Sequence, residues 1–209
     1  MSEGNGLRAA AQVSRRTFLS TGAGAALAAG ATAGLSALLA GPVAAQRAPR
    51  IGLPAPQWDI LEWINRDGGN VDTLRGQVIV IDFFQLWCPG CNKFSGPLLS
   101  YWREKFADEI RSGQLALVKI HTVFEGHNYQ TVERLKSYVA EKKITLPVGV
   151  DRHADGRRLP VTMMRYQTRG TPEMAIIDKQ GIIRFQEFGY FEVPPVEALL
   201  RKLMAPTRA

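Results

Sequence analysis

The chain reads as an α/β fold: a central mixed sheet flanked by helices, with an N-terminal β-hairpin extension. Three observations carry that reading. Residues 78–84, Val-Ile-Val-Ile-Asp-Phe-Phe, are apolar without alternation apart from one acid, the pattern of a strand buried on both faces. Strand-like and helix-like runs then alternate through residue 167, which argues for a parallel core. Finally, residues 173–178 and 182–188 are two strand-like runs joined by Lys179-Gln180-Gly181, a tight turn that adds antiparallel strands.

The elements follow in order. Residues 51–76 mix short apolar runs with turn residues (Pro54, Pro56, Asp67-Gly68-Gly69-Asn70, Gly76), which predicts a hairpin or two short strands turning at 67–70. After the first buried strand, Phe94, Leu98, Tyr101, Trp102, Phe106 and Ile110 recur at helical spacing over 89–110. Pro97 falls inside that helix and is expected to kink it. Residues 115–123 predict a second strand, and 130–143 an amphipathic helix carrying Val132, Leu135, Tyr138 and Val139. A short strand at 147–150 and a short helix at 160–167 come next. Residues 196–203 close the chain as a helix, with Pro194-Pro195 before or at its first turn.

Composition narrows the function. The 209 residues are 45% hydrophobic and 22% charged, an ordinary globular balance that excludes wholesale disorder, a collagen repeat and a heptad rod. The net charge of +7 raises an acidic surface or nucleic acid as partner. The basic residues are scattered singly, so a solvated surface and no nucleic-acid partner are expected. With two cysteines, Cys88 and Cys91, neither a disulfide-stapled fold nor a four-thiolate zinc site is possible.

The first 45 residues read as an address. Arg15 and Arg16 precede Thr17-Phe18-Leu19, and residues 17–46 carry no charge. Of those 30 residues 11 are Ala and 5 are Gly, ending in Val43-Ala44-Ala45. A basic start, a weakly apolar middle and small residues at a cleavage point define an export signal, and the paired arginines make it resemble a twin-arginine signal. The expected division is a signal at 1–45, cleaved after Ala45, and one domain over 46–209. The partner in export would be the twin-arginine translocase, and the destination extracytoplasmic. An uncleaved signal would tether the chain to the membrane.

The chemistry concentrates in Trp87-Cys88-Pro89-Gly90-Cys91, where the buried strand gives way to a helix. Backbone N–H groups at a helix N-terminus stabilise an anion, so the first cysteine can persist as a thiolate. The second cysteine, one turn on, is close enough to pair with it. Cys88 can therefore attack a partner disulfide, and Cys91 can resolve the mixed disulfide that forms.

These residues resemble the thioredoxin superfamily. The run Val80-Ile81-Asp82-Phe83-Phe84-Gln85-Leu86-Trp87-Cys88-Pro89-Gly90-Cys91 is similar to that family's strand-to-active-site segment. Arg169-Gly170-Thr171-Pro172, about 80 residues later, is similar to its loop bearing a cis-proline. Residues 51–76 resemble the N-terminal extension of the TlpA-like branch of exported thiol–disulfide oxidoreductases. The resemblance implies the thioredoxin fold over about 50–205, a redox-active Cys88–Cys91 disulfide and no bound cofactor. It also implies protein thiol or disulfide substrates and a membrane thiol carrier as reductant. Trp87, Pro89, Gly90 and Thr171 would form the docking rim, with Pro172 opposite the disulfide.

Two departures stand out. Pro97 lies six residues after Cys91, where the family has its proline at five. Many TlpA-like reductases carry Glu three residues after the second cysteine, where this chain has Phe94, whereas Asp82 matches the buried acid of ordinary thioredoxins. Asp82 is expected as a lone buried carboxylate, its pKa raised by burial, able to take the proton of Cys91.

Other readings are weaker. A peroxiredoxin requires Thr three residues before its reactive cysteine; counted from Cys91 or Cys88 those positions hold Cys88 and Gln85. A copper-handling module could use the two thiolates, but no third ligand is apparent, and no metal site is expected. His121, Glu125 and His127 follow the second strand without a ligand spacing and are expected as solvated loop residues.

Overall fold

A computed structural model describes residues 48–206; Arg15, Arg16 and Ala45 lie outside them. Six strands form one mixed sheet in the order β1-β4-β3-β2-β5-β6. They are β1 Ile60–Ile64, β2 Val78–Phe84, β3 Leu115–His121, β4 Val148–Asp151, β5 Glu173–Ile177 and β6 Ile183–Phe188. β2 pairs in parallel with β3, and β3 with β4. β5 joins β2 antiparallel, and β6 follows it as the expected hairpin.

Every residue of β2 is buried, because both faces of the strand are covered. Val78 and Val80 meet Leu98, Leu99 and Trp102 of helix α1 (Gly96–Lys105) and Leu200 of helix α5 (Val193–Met204). Ile79, Ile81 and Phe83 meet Trp58, Val71 and Tyr166, the last from helix α4 (Val161–Tyr166). Phe84 belongs to a third cluster, with Leu135 and Val139 of helix α3 (Val132–Glu141) and with both cysteines. By strand alternation Asp82 shares the face of Val80 and Phe84.

Two local expectations need correction. The N-terminal hairpin does not form. β1 is a single strand that pairs antiparallel with β4 at the sheet edge, and Pro54 makes one bridge to Ile182. The Asp67–Asn70 turn signal is spent on side-chain and backbone bonds instead. Gly69 N–H donates to Asp67 Oδ1 at 2.7 Å, and Trp58 N–H donates to Asn70 Oδ1 at 3.0 Å.

The long helix over 89–110 is also divided. A π-helical turn, Cys91–Ser95, precedes α1, and Phe106, with φ −110° and ψ 31°, separates α1 from the short helix α2 (Ala107–Arg111). Pro97 sits in the first turn of α1, directly after the π-helical turn. The distortion lies one turn earlier: Gly96 N–H reaches Cys91 O, five residues back. A Cβ on Gly96 would lie 2.8 Å from that oxygen, so only glycine admits this approach. A turn closed five residues back holds one more residue than an α turn. The extra residue between Cys91 and Pro97 is taken up there.

Candidate active site

The site is built where β2 ends. Residues 85–88 leave the sheet, and the chain re-enters helical geometry at Pro89. Cys88 and Cys91 are joined as a disulfide, with Cα atoms 5.2 Å apart. Cys88 is 6% exposed and Cys91 1%, so the first sulfur is the more accessible. The Cys91 backbone N–H donates to Cys88 Sγ at 3.1 Å. That donor is placed to stabilise negative charge on Cys88 when the pair is reduced.

The sequence-derived candidates converge around this pair. Thr171-Pro172 is a cis peptide. A Cβ on Gly90 would meet Pro172 Cδ at 2.7 Å, so the residue between Pro89 and Cys91 touches the proline loop directly. Trp87 is 47% exposed and stacks on Tyr129 with ring centroids 6.0 Å apart. Trp87 Nε1 and Thr171 Oγ1 both donate to Gln85 Oε1, at 3.3 and 3.4 Å. Gln85 thereby joins Trp87 to Thr171 within a groove of about 450 Å3 that Cys88, Phe124, Glu125, Arg169 and Phe188 also line.

Asp82 is fully buried but is not alone. The register places it opposite Lys119 of β3, and the two side chains form a buried ion pair. Lys119 Nζ also lies 4.4 Å from the centroid of the Phe84 ring. Asp82 Oδ1 has no hydrogen-bond partner. The expectation of an isolated carboxylate is overturned by a cation that the apolar run Leu-Ala-Leu-Val-Lys-Ile-His carries at one position. A pocket of about 220 Å3 is lined by Lys119, Cys91 and Tyr138 together with Arg103, Lys142 and Lys143.

His121 likewise departs from expectation. It closes β3, fully buried, with Nε2 3.0 Å from Gln130 Oε1. Leu86 N–H donates to the same oxygen at 2.9 Å, so His121 Nε2 must carry the proton. Burial holds the His121 pKa down at about 4. Glu125 and His127 are exposed, as expected for loop residues. Among the described residues no three His, Cys, Asp or Glu side chains gather as a metal cluster.

Sequence reasoning missed Lys119, Gln85, Asn92, Gln130 and Tyr138. Asn92 Nδ2 donates to Leu86 O and Cys88 O at 2.8 and 2.9 Å, and Tyr138 Oη donates to Asn92 Oδ1 at 3.0 Å. Burial, then the charge of Asp82, pushes the Tyr138 hydroxyl up to about 12, so it remains a donor. Phe94, in place of the acid, packs against Tyr190 and Phe191 with centroids 4.8 and 5.0 Å away.

No protein-family model matches the chain. Among solved structures, a thioredoxin-like superfamily protein is 37% identical with a TM-score of 0.69, over 75% of this chain and 99% of that one. A thiol–disulfide isomerase from Corynebacterium glutamicum is 36% identical with a TM-score of 0.65, over 73% of this chain and 98% of that one. Among curated proteins, Protein DipZ of Mycobacterium bovis and Mycobacterium tuberculosis is 28% identical over 149 residues, 69% of this chain. This chain spans 20% of the length of DipZ.

Two predictions follow from the buried charges. Asp82→Asn leaves Lys119 charged and unpaired in the core, so it should destabilise the fold by about 3–5 kcal/mol in urea unfolding. An unchanged midpoint would mean that water reaches the pair. His121 binds its proton near pH 6.5 when unfolded but only near about 4 when folded. Between those values the unfolded chain takes up the proton first, so stability should fall as pH falls, by about 3 kcal/mol in all. His121→Gln, which keeps a donor for Gln130, should flatten that part of the stability–pH curve relative to the parent.

Proposed function

Because the chain belongs to the thioredoxin-like superfamily and is by class a thiol–disulfide oxidoreductase, we propose that it is exported and reduces protein disulfides through Cys88 and Cys91. The observation that carries this reading is the Cys91 N–H held on Cys88 Sγ at 3.1 Å, at a sulfur that opens on a groove. In the reduced enzyme the Cys88 thiolate attacks one sulfur of a substrate disulfide. The Cys88–substrate bond forms, the substrate S–S bond breaks, and the leaving thiolate takes a proton from solvent. Cys91 then gives up its proton and attacks Cys88 Sγ. The Cys88–Cys91 bond forms, and the second substrate sulfur leaves as a thiolate and is protonated. One dithiol has become a disulfide and one substrate disulfide two thiols, a transfer of two electrons and two protons.

In this reading the Asp82–Lys119 pair receives the proton of Cys91, a role supported by the pocket that Lys119 and Cys91 share. Trp87, Pro89, Gly90 and Thr171 form the docking rim, and the Pro172 loop receives the substrate chain beside the disulfide. The oxidised enzyme returns to the dithiol by the same exchange with a membrane thiol carrier. Export rests on residues 1–45, a twin-arginine signal with Arg15 and Arg16, read by the translocase and cut after Ala45. Among the described residues no helix is long and apolar enough to cross a membrane.

An isomerase, as the Corynebacterium relative is named, begins with the same attack by Cys88 but releases its substrate before Cys91 acts. Reduction of insulin, set beside reactivation of a protein with scrambled disulfides, separates the two; reactivation without net reduction would replace the reductase reading.

Cys91→Ser should accumulate mixed disulfides on Cys88 that run as reducible adducts on gels, while Cys88→Ser should trap none. Equal trapping by both variants would reverse the order of attack. Replacing Arg15 and Arg16 together with Lys should hold the precursor in the cytoplasm of a bacterial host, read by fractionation. Undiminished export of that double variant would remove the twin-arginine route.

A further inference from the structure

The segment that carries Cys88 off the sheet has little backbone support of its own. Within residues 85–88 the one backbone bond is Cys88 N–H to Gln85 O, at 3.4 Å, near the limit of a hydrogen bond, and from the helix the Asn92 backbone N–H donates to Cys88 O at 3.0 Å. The Leu86 peptide groups are satisfied by side chains instead. Its N–H goes to Gln130 Oε1 at 2.9 Å and its carbonyl to Asn92 Nδ2 at 2.8 Å. Asn92 Nδ2 reaches the Cys88 carbonyl as well, at 2.9 Å.

Each of these two amides is itself locked. Tyr138 Oη donates to Asn92 Oδ1, which turns both Nδ2 hydrogens toward the loop. His121 Nε2 donates to Gln130 Oε1, which keeps that oxygen on Leu86. Both locking rings pack on Phe84, with centroids 6.1 Å away for Tyr138 and 5.4 Å for His121. The chain of support therefore runs from a buried β2 aromatic, through two rings and two amides, to the loop before Cys88.

We propose that Asn92 and Gln130 are positioning residues for thiol–disulfide exchange: they clamp the Leu86 peptide from both sides and so hold Cys88 Sγ on the Cys91 N–H. A disulfide sulfur is a weak acceptor and a thiolate a strong one. Holding the sulfur at that donor therefore stabilises the reduced state more than the oxidised one. A loosened clamp lets Cys88 drift, and the loss falls on the thiolate. The locks do not titrate in the working range, since Tyr138 stays protonated and His121 neutral. The clamp thus sets a constant bias rather than a pH switch.

The inference rests on the thiol–disulfide reading, and the experiment separates the two. The full chain is compared with Tyr138→Phe, which removes one oxygen and keeps the ring, with Asn92→Ala and with Gln130→Leu. Lys93→Ala, at an exposed neighbouring position, is the control. The Cys88 acid constant is read from thiolate absorbance against pH, and the reduction potential from equilibrium with glutathione buffers. The clamp variants should raise the Cys88 pKa by about one unit. They should also lower the equilibrium constant for reduction about tenfold, a potential about 30 mV more negative. The control should do neither. Clamp variants that fold and match the parent in both quantities overturn the proposal. Should Asn92→Ala or Gln130→Leu fail to fold, Tyr138→Phe decides by the same readouts. A parent chain that never exchanges with glutathione overturns the thiol–disulfide reading, and this inference with it.

Discussion

A strand sealed on both faces meets solvent only at its ends, and the site follows from where β2 ends. β2 runs between β3 and β5, so its edges are closed as well as its faces. Its backbone pairs up to Phe84, and the chain must then leave the sheet within a few residues. The emerging peptide groups are still largely buried, and buried amides need partners. Gln130, from the loop before α3, and Asn92, from the π-helical turn, supply them. The same exit directs the chain into a helical turn whose Cys91 N–H donates to Cys88 Sγ. Burial of the strand, support of the loop and activation of the sulfur are one continuous requirement.

The charges inside the sheet have a different logic. Asp82 and Lys119 face each other across adjacent parallel strands, each nearly or wholly out of solvent. Such a pair adds little stability over two well-packed apolar side chains, because desolvation offsets most of the attraction. Asp82 Oδ1 is left without a partner, a further cost to the core. Packing alone does not call for the pair. Lys119 and Cys91 line one small pocket, and the proposed transfer of the Cys91 proton to the pair would give the arrangement a chemical use. Phe94, at the position where the resemblance would put an acid, packs on Tyr190 and Phe191 instead.

The helix after the cysteines shows how an inserted residue is absorbed without moving the site. Had it been passed along an α-helix, every later side chain would have rotated by about 100°, and Leu98, Leu99 and Trp102 would have left the core. The π-helical turn confines the change to Cys91–Ser95. Gly96, with no Cβ to strike the Cys91 carbonyl, makes the wide turn possible.

The sequence by itself determined the sheet, the order of its elements from β2 onward, and the positions of Cys88, Cys91, Trp87 and Thr171-Pro172, because each rests on a local pattern. A continuous apolar run, a helical period, a turn tripeptide and a Cys-x-x-Cys spacing are all read within a few residues. Long-range partners were not legible, because nothing local sets them. Lys119 could have been suspected, since it and Asp82 are opposite charges in neighbouring apolar strands, but only register makes them a pair. The N-terminal segment gave a hairpin signal at Asp67–Asn70, yet β1 found a better edge on β4, as strand pairing is a competition across the whole sheet. His121 reads as a solvated loop residue although it lies inside the strand-like run 115–123, because nothing in the local sequence shows that Gln130 and Phe84 enclose it. Asn92, Gln130 and Tyr138 carry no motif. They became parts of the site only when the fold brought residues 86, 92, 130 and 138 together, a juxtaposition that depends on tertiary packing and not on any spacing in the chain.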